Sequence, residues 1–189
     1  MPKVFVSISM SLDGFIAGPG ITAQQPMGEG GERLHDWLFK TRTEADKAIV
    51  EETFKAGAVI VGGRTYKIAI NDAWEGRSPF DVTSFVLTHE IPAEQVKGFV
   101  FVTAGIESIL EQAKTAAGEK DVWVMGGADI IQQFIHLKLV DEIQITLVNV
   151  LLGKGTLLFE HIAMRQVELE RIRIIESAGV THIKYRIVQ

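Results

Sequence analysis

Hydrophobic and polar positions alternate from Lys3 to Ser9, so this segment reads as a first strand, with Val4, Val6, Ile8 and Met10 on one face and Ser7, Ser9 and Ser11 on the other. A loop crowded with Gly14, Gly18, Gly20, Gly28, Gly30 and Gly31 follows, with more glycine than a plain connector needs, as in loops that cover sites. The segment GERLHDWLFKT has the pattern of a short helix, and Thr43 with Asp46 predicts a capping box that opens a second helix through Phe54. Ala58 to Gly62 is an apolar run of the buried-strand type, and GGRTY then leads into a short helical segment and a polar surface loop, NDAWEGRSPFD. Ser84 to Thr88, Phe99 to Val102, Asp121 to Met125 and Glu142 to Val148 read as further strands. Between them, Ile106, Ile109, Leu110, Ala113 and Ala117 fall on one helix face that Gly118 ends, and Ile130, Ile131, Phe134 and Ile135 do the same after Gly126 and Gly127. A strand–helix–strand order predicts parallel strands and a right-handed crossover.

The C-terminal part changes character. Val167 to Ser177 and Thr181 to Val188 read as an antiparallel hairpin turning at Ala178 and Gly179, with a bulge or a second covered face where the alternation slips near Ile174 and Ile175. The whole order fits one α/β domain over residues 1–189, a mixed and mostly parallel sheet with helices on both faces.

Composition narrows the classes. With 189 residues, 47% apolar and 23% charged, the chain has the makeup of one packed domain. Its net charge of −5 argues against a phosphate-backbone binder, so no nucleic-acid partner is expected. The absence of cysteine excludes disulfides, thiolate nucleophiles and cysteine-ligated metals. The N-terminus turns polar too soon for a signal peptide, and no apolar run approaches the ~18 residues of a membrane span, so a cytoplasmic protein without a membrane partner is the expectation.

Two strand ends carry candidate chemistry. VMGGAD and VGGRTY each run from a strand through paired glycines into a helix, where free N–H groups receive anions; Arg64 and Thr65 add a guanidinium and a hydroxyl. Paired glycines at such a junction also serve as plain turns, but two junctions together suit a ligand with two phosphate centres. Phosphate-loop, serine-elbow, zinc-protease and Gly-x-Gly-x-x-Gly signatures are all missing. His35, His89, His136, His161 and His182 are scattered without metal-ligand spacing, so they read as solvated or structural and no metal is expected.

Four runs then carry a resemblance: SMSLDGFIAG, GGRTY, VLTHE and the long string from Val122 to Phe159. Together they resemble the dihydrofolate reductase-like superfamily, and within it the group related to the C-terminal reductase domain of bacterial riboflavin biosynthesis. The resemblance implies a three-layer dihydrofolate reductase-like fold, an NADPH cofactor and hydride transfer to a small heterocycle, either a riboflavin-pathway pyrimidine or a pterin. It implies that Ser9, Ile16 and Ala17 touch the nicotinamide end, and that Gly62, Gly63, Arg64 and Thr65 hold phosphates, with Arg64 on the 2′-phosphate. Leu87, Thr88 and Thr103 would then lie near adenosine, and Gly126, Gly127, Ala128 and Asp129 would cradle the pyrophosphate. Departures are visible: the chain has Gly-Gly-Arg-Thr where dihydrofolate reductases have Gly-Arg-x-Thr. Ser7 and Met125 stand where riboflavin-pathway reductases carry Lys and Glu. Those gaps support the alternative of a catalytically weak NADP(H)-binding or regulatory module; a third reading is an interaction protein that dimerises through its C-terminal hairpin, and the resemblance together with the apolar strand near Ile172 to Ile175 implies a homodimer.

Asp36 is the first candidate for protonating or orienting the substrate, if partial burial raises its pKa; its other reading is a solvated carboxylate. Asp13 would shape the covering loop or contact substrate, or simply stabilise a turn before Gly14. Trp37 would line the substrate pocket or anchor its own helix.

Overall fold

The first alternating segment forms β1 (Val4–Ser11) in the computed structural model, which describes residues 2–160 and 166–188. Val4 and Val6 enter an apolar layer, while Ser9 and Ser11 are buried on the opposite face. β2 (Phe15–Ala17) follows, then a 3-10 turn (Gly31–His35) that passes directly into α1 (Asp36–Phe39), and then α2 (Glu44–Thr53). The predicted capping box opens α2: Thr43 Oγ1 accepts from the Asp46 N–H at 3.2 Å, and Asp46 Oδ2 accepts from the Thr43 N–H at 2.7 Å. β3 (Ala58–Gly62), α3 (Gly63–Ala69), β4 (Ser84–Leu87), β5 (Phe99–Val102), α4 (Ile106–Ala117), β6 (Val122–Gly126) and α5 (Ala128–His136) come next. β7 (Glu142–Val148), β8 (Thr156–Leu157), β9 (Leu169–Ser177) and β10 (Val180–Ile187) complete the order.

The main sheet runs β5-β4-β3-β6-β1-β7-β10-β9. Strands β5 through β7 are mutually parallel, and β10 and β9 add an antiparallel hairpin at one side. α4 and α5 cover one face with the residues their periodicity selects: Ile109, Leu110 and Ala113, then Ile130, Ile131, Phe134 and Ile135, meet Val4, Val6, Ile60 and Val124. On the other face an aromatic layer of Tyr66, Trp74, Phe99 and Trp123 lies under α3 and the segment after it. Thus the expected three-layer α/β architecture is present.

Four local expectations change. Phe15–Ala17 is not loop but pairs with β8 as a separate two-stranded sheet, Phe15 opposite Leu157 and Ala17 opposite Thr156. GERLHDWLFKT divides into a 3-10 turn and one α-turn, and Leu34 and Trp37, three apart, are both buried as the tighter turn favours. α3 starts at Gly63, which puts Arg64 and Thr65 inside its first turn. The bulge lies earlier than Ile174, because Lys184 faces Arg173 and Tyr185 faces Arg171, leaving Ile172 as the extra residue.

The face of β1, β7 and β10 toward α2 is polar across strands. Ser9, Thr146 and His182 stand in one cross-strand row, and Ser7, Gln144, Lys184 and Arg173 in the next. α2 completes the rows: Ser7 Oγ lies 3.2 Å from Thr53 Oγ1, and Glu52 takes Lys184 Nζ at 3.0 Å and Arg173 Nη1 at 2.7 Å. Lys184 Nζ also reaches Glu142 Oε2 at 2.8 Å, and Lys3 bonds the other oxygen of that carboxylate. The serine face is therefore a covered polar interior and not the open cleft wall that a row of serines suggests.

This seam makes stability pH-dependent. Burial pushes the Glu142 carboxyl up, but the hydrogen bonds from Lys184 and Lys3 outweigh it and hold it below the ordinary value. Glu52 behaves alike, with Arg173 and Lys184 overcoming its burial. Folding thus lowers both carboxyls, so their contribution is complete above the unfolded value of about 4 and is lost as pH falls through the lowered folded values. E142Q should cost about 1–3 kcal/mol at neutral pH by leaving Lys184 short of a partner. Denaturation midpoints measured between pH 7 and pH 3 should show the variant starting lower and falling less steeply than the wild type.

Candidate functional site

The parallel strands end together, so the carboxyl edge gathers the ends of β1, β3, β4, β5, β6 and β7. β3 and β6 are hydrogen-bonded neighbours, and their terminal glycines meet: a Cβ added at Gly62 would lie 3.6 Å from the Gly126 carbonyl oxygen. A Cβ at Gly63 would lie 3.0 Å from the Leu87 carbonyl oxygen and 3.1 Å from Thr88 Oγ1, and one at Gly127 would lie 3.1 Å from Thr65 Oγ1. Gly62, Gly63, Thr65, Leu87, Thr88, Gly126 and Gly127 therefore form one cluster in which missing side chains let neighbouring segments approach closely. Gly126 has φ 132°, which a residue with a side chain rarely adopts, and the Gly126–Gly127 peptide is cis.

Other candidates take their places around this cluster. Ala128 is buried at the start of α5, whose first N–H groups open onto the same edge. Asp129 turns its carboxylate to Gln133 Nε2 at 2.7 Å. Arg64 is exposed in the first turn of α3, and Thr88 is closed into a local turn with Glu90. Thr103 is exposed just past β5. Ile16 and Ala17 lie on β2, and Ala17 is so close to Gly155 that a Cβ there would sit 2.0 Å from the Ala17 carbonyl oxygen. The glycine-rich loop is likewise packed backbone on backbone, with the Gly18 N–H donating to Met27 O at 2.8 Å and the Glu29 N–H to Pro19 O at 2.8 Å.

The three substrate-side candidates all have partners within the protein. Asp13 accepts from Ser11 Oγ at 2.6 Å and from the N–H groups of Leu152 at 3.1 Å and Gly153 at 2.7 Å. Its carboxylate is held below its ordinary range by the Ser11 hydroxyl and those amides, so it ties the β1–β2 turn to the loop after β7 and is taken up as a structural group. Trp37 is buried, donating Nε1 to Ser9 Oγ at 2.9 Å, so it anchors its helix, and Ser9 lies beneath it. The pKa of Asp36 moves opposite to expectation. Lys40 and Arg33, one turn away on either side, bind its carboxylate at 2.7 Å and 2.5 Å and hold it below the ordinary value, outweighing its partial burial.

One group was invisible as a unit in the sequence. His182 is buried between Asp46 and Thr146, with Nε2 2.8 Å from Asp46 Oδ1 and Nδ1 2.8 Å from Thr146 Oγ1. The Trp37 ring stands edge-on to it, centroids 5.1 Å apart. Two small cavities lie near α2, one beside Gln144 and Lys184 and one beside Phe80 and Trp123; neither reaches the glycine cluster. Among the described residues no group of His, Asp and Glu is arranged to hold a metal ion, and no helix is long and apolar enough to cross a membrane. His161 lies outside the described residues.

A family model decides the relationship, matching residues 2–182 as the RibD C-terminal domain. The chain belongs to the RibD C-terminal domain family. It is 28% identical over 161 residues to the uncharacterized protein YwjB of Bacillus subtilis, covering 85% of this chain and 84% of that one. A solved structure described as a riboflavin biosynthesis protein of Shewanella sp. PV-4 superposes with a TM-score of 0.76 at 22% identity, covering 99% of both chains. Dihydrofolate reductase from Enterococcus faecalis, solved with NADP(H), superposes with a TM-score of 0.67 at 15% identity over 99% of this chain and 97% of that one. The fold of this RibD C-terminal domain is dihydrofolate reductase-like.

The Asp13 bridge yields a local test. D13A should speed amide exchange at Leu152 and Gly153 while leaving the amides of α4 and α5 at wild-type protection, measured residue by residue by NMR; unchanged exchange at those two positions would show that the carboxylate does not hold the loop.

Proposed function

We infer that this RibD C-terminal domain is an NADPH-dependent reductase of a small heterocycle, a riboflavin-pathway pyrimidine of the 5-amino-6-(5-phosphoribosylamino)uracil type or a pterin. The supporting observation is the meeting of the two glycine tips at neighbouring strands, packed so closely that a Cβ at Gly63 would lie 3.0 Å from the Leu87 carbonyl oxygen and one at Gly127 would lie 3.1 Å from Thr65 Oγ1. That junction, with the N-terminus of α5 and the exposed Arg64 in the first turn of α3, suits a dinucleotide pyrophosphate and its attached phosphate. NADPH would supply the hydride, and the chain would bind, orient and exclude water.

In this reading Gly62, Gly63, Thr65, Gly126, Gly127 and the backbone of Ala128 and Asp129 hold the pyrophosphate. Arg64 reads the 2′-phosphate, and Leu87, Thr88 and Thr103 flank adenosine. Ile16 and Ala17 border the nicotinamide end, above the layer that contains Ser9 and Trp37. Asp36, kept ionised by Lys40 and Arg33, is a fixed negative charge that orients a ring N–H and is unsuited to give up a proton. The open edge of β9 and the exposed Leu169, Ile172 and Ile174 favour a homodimer through the hairpin.

Calorimetric titration with NADPH tests the cofactor half, with heat of binding expected for the wild type and none for G127V. R64A should lose roughly tenfold or more in preference for NADPH over NADH. NADPH oxidation with a panel of pyrimidines and pterins separates the readings: turnover supports the reductase, and binding without turnover supports the catalytically weak module.

A further inference from the structure

Reducing a C=N or C=O bond places a hydride on carbon and a proton on nitrogen or oxygen, so a proton donor is needed as well as a cofactor. Asp36 is held as an anion by two cations and does not meet that need. The buried chain of Asp46, His182 and Thr146 does.

Burial pushes the Asp46 carboxyl up, but the Thr43 N–H, His182, Ser177 and the Thr43 hydroxyl outweigh it, leaving an ionised acceptor. An acceptor-only oxygen 2.8 Å from Nε2 requires that nitrogen to carry its proton and donate. Any second proton on the ring therefore sits on Nδ1, against Thr146 Oγ1. With the ring neutral, the Thr146 hydroxyl donates to Nδ1 and offers only lone pairs elsewhere. With the ring charged, Nδ1–H donates to Thr146 and frees the hydroxyl hydrogen to point away. The two nitrogens of this ring, only 1% exposed, thus tie the Asp46 carboxylate to the hydrogen-bond polarity of Thr146.

Position gives this a use. Thr146 on β7 pairs directly with Ser9 on β1, one strand spacing of about 4.8 Å away. Around His182, α1 contributes the Trp37 ring edge, β9 the register partner Ile175, and α2 the charge of Asp46. Along its own strand the next charge on that face is Lys184, which is ion-paired to Glu52 and Glu142.

We propose that Thr146 is the proton donor to the reduced substrate, and that His182 and Asp46 are positioning residues that charge and aim it; the inference rests on the reductase reading above. The electrons and the hydride are the contribution of the reduced nicotinamide dinucleotide. What the chain moves is one proton: the substrate nitrogen or oxygen takes the Thr146 hydroxyl proton, His182 Nδ1–H replaces it, and the imidazolium becomes neutral beside the Asp46 carboxylate. Solvent restores that proton after product leaves. Thr146 is 2% exposed, so substrate entry has to shift the Trp37 indole that covers Ser9.

The test uses the full chain labelled with nitrogen-15 at histidine and tryptophan. Nitrogen spectra should show His182 protonated at Nε2, its Nδ1 signal displaced in T146V and unmoved in T146S, and the Trp37 indole signal moved when NADPH and a turned-over substrate are present. With that substrate, T146V and H182Q should lose about 100-fold in kcat with NADPH affinity unchanged, T146S should restore most of the rate, and D46N should alter the pH profile. A bare Nε2, or a T146V rate within roughly threefold of wild type, overturns the proposal. So does NADPH binding without turnover of any panel member, since no step then needs the proton. Wild-type protein with intact nitrogen spectra but no NADPH binding overturns the reductase reading itself, whereas binding and turnover with unimpaired variants overturn the proton donor alone.

Discussion

After β5 the chain returns through α4 and inserts β6 between β3 and β1, which makes hydrogen-bonded neighbours of two glycine-ended strands far apart in sequence. Right-handed crossovers explain how the helices are shared out. The connections through α4 and α5 step toward β7 and place both helices on one face, whereas those through α2 and α3 step toward β5 and place them on the other. Were β6 to join the sheet outside β5, each pair of glycines would remain a separate bend. Their adjacency, not the glycines alone, brings the two strand–helix junctions together at one edge of the sheet.

The two faces of the sheet solve burial differently. Under α4 and α5 it is held by aliphatic packing, which is non-directional and tolerates small shifts. Under α2 it is held by paired hydroxyls and ions, where each group left unmatched is costly and geometry is correspondingly strict. The strict face is the one that contains Ser9, Thr146 and His182. This RibD C-terminal domain thus has a compliant layer under α4 and α5 and a specified layer under α2.

Local pattern in the sequence was enough for much of this. The apolar spacings of α4 and α5, the capping box of Thr43 and Asp46 and both strand–glycine–helix junctions appear as expected, because each is written within a dozen residues or fewer. What local pattern does not contain is register. β2 pairs with β8 through only a few residues, and no alternation that short announces itself. His182 and Asp46 are 136 residues apart, so neither residue's surroundings name the other. The state of Asp36 was legible, however: Arg33 three residues before and Lys40 four after share its helix face, and that spacing predicts an ion-paired, ionised carboxylate.

Asp36 and Asp46 show how far environment decides a carboxylate's use. Both are held ionised, one by mobile cations at the surface and the other by fixed dipoles in the interior. At Asp36 the charge is compensated by long, exposed side chains that water and salt can replace, so its influence is short in range and easily exchanged. At Asp46 no solvent intervenes, and the field acts through one imidazole whose two nitrogens face different partners. The row then runs from His182 on β10 through Thr146 on β7 to Ser9 on β1, the strand that neighbours glycine-ended β6. Burial, which ordinarily makes a carboxylate a liability, here makes it directional.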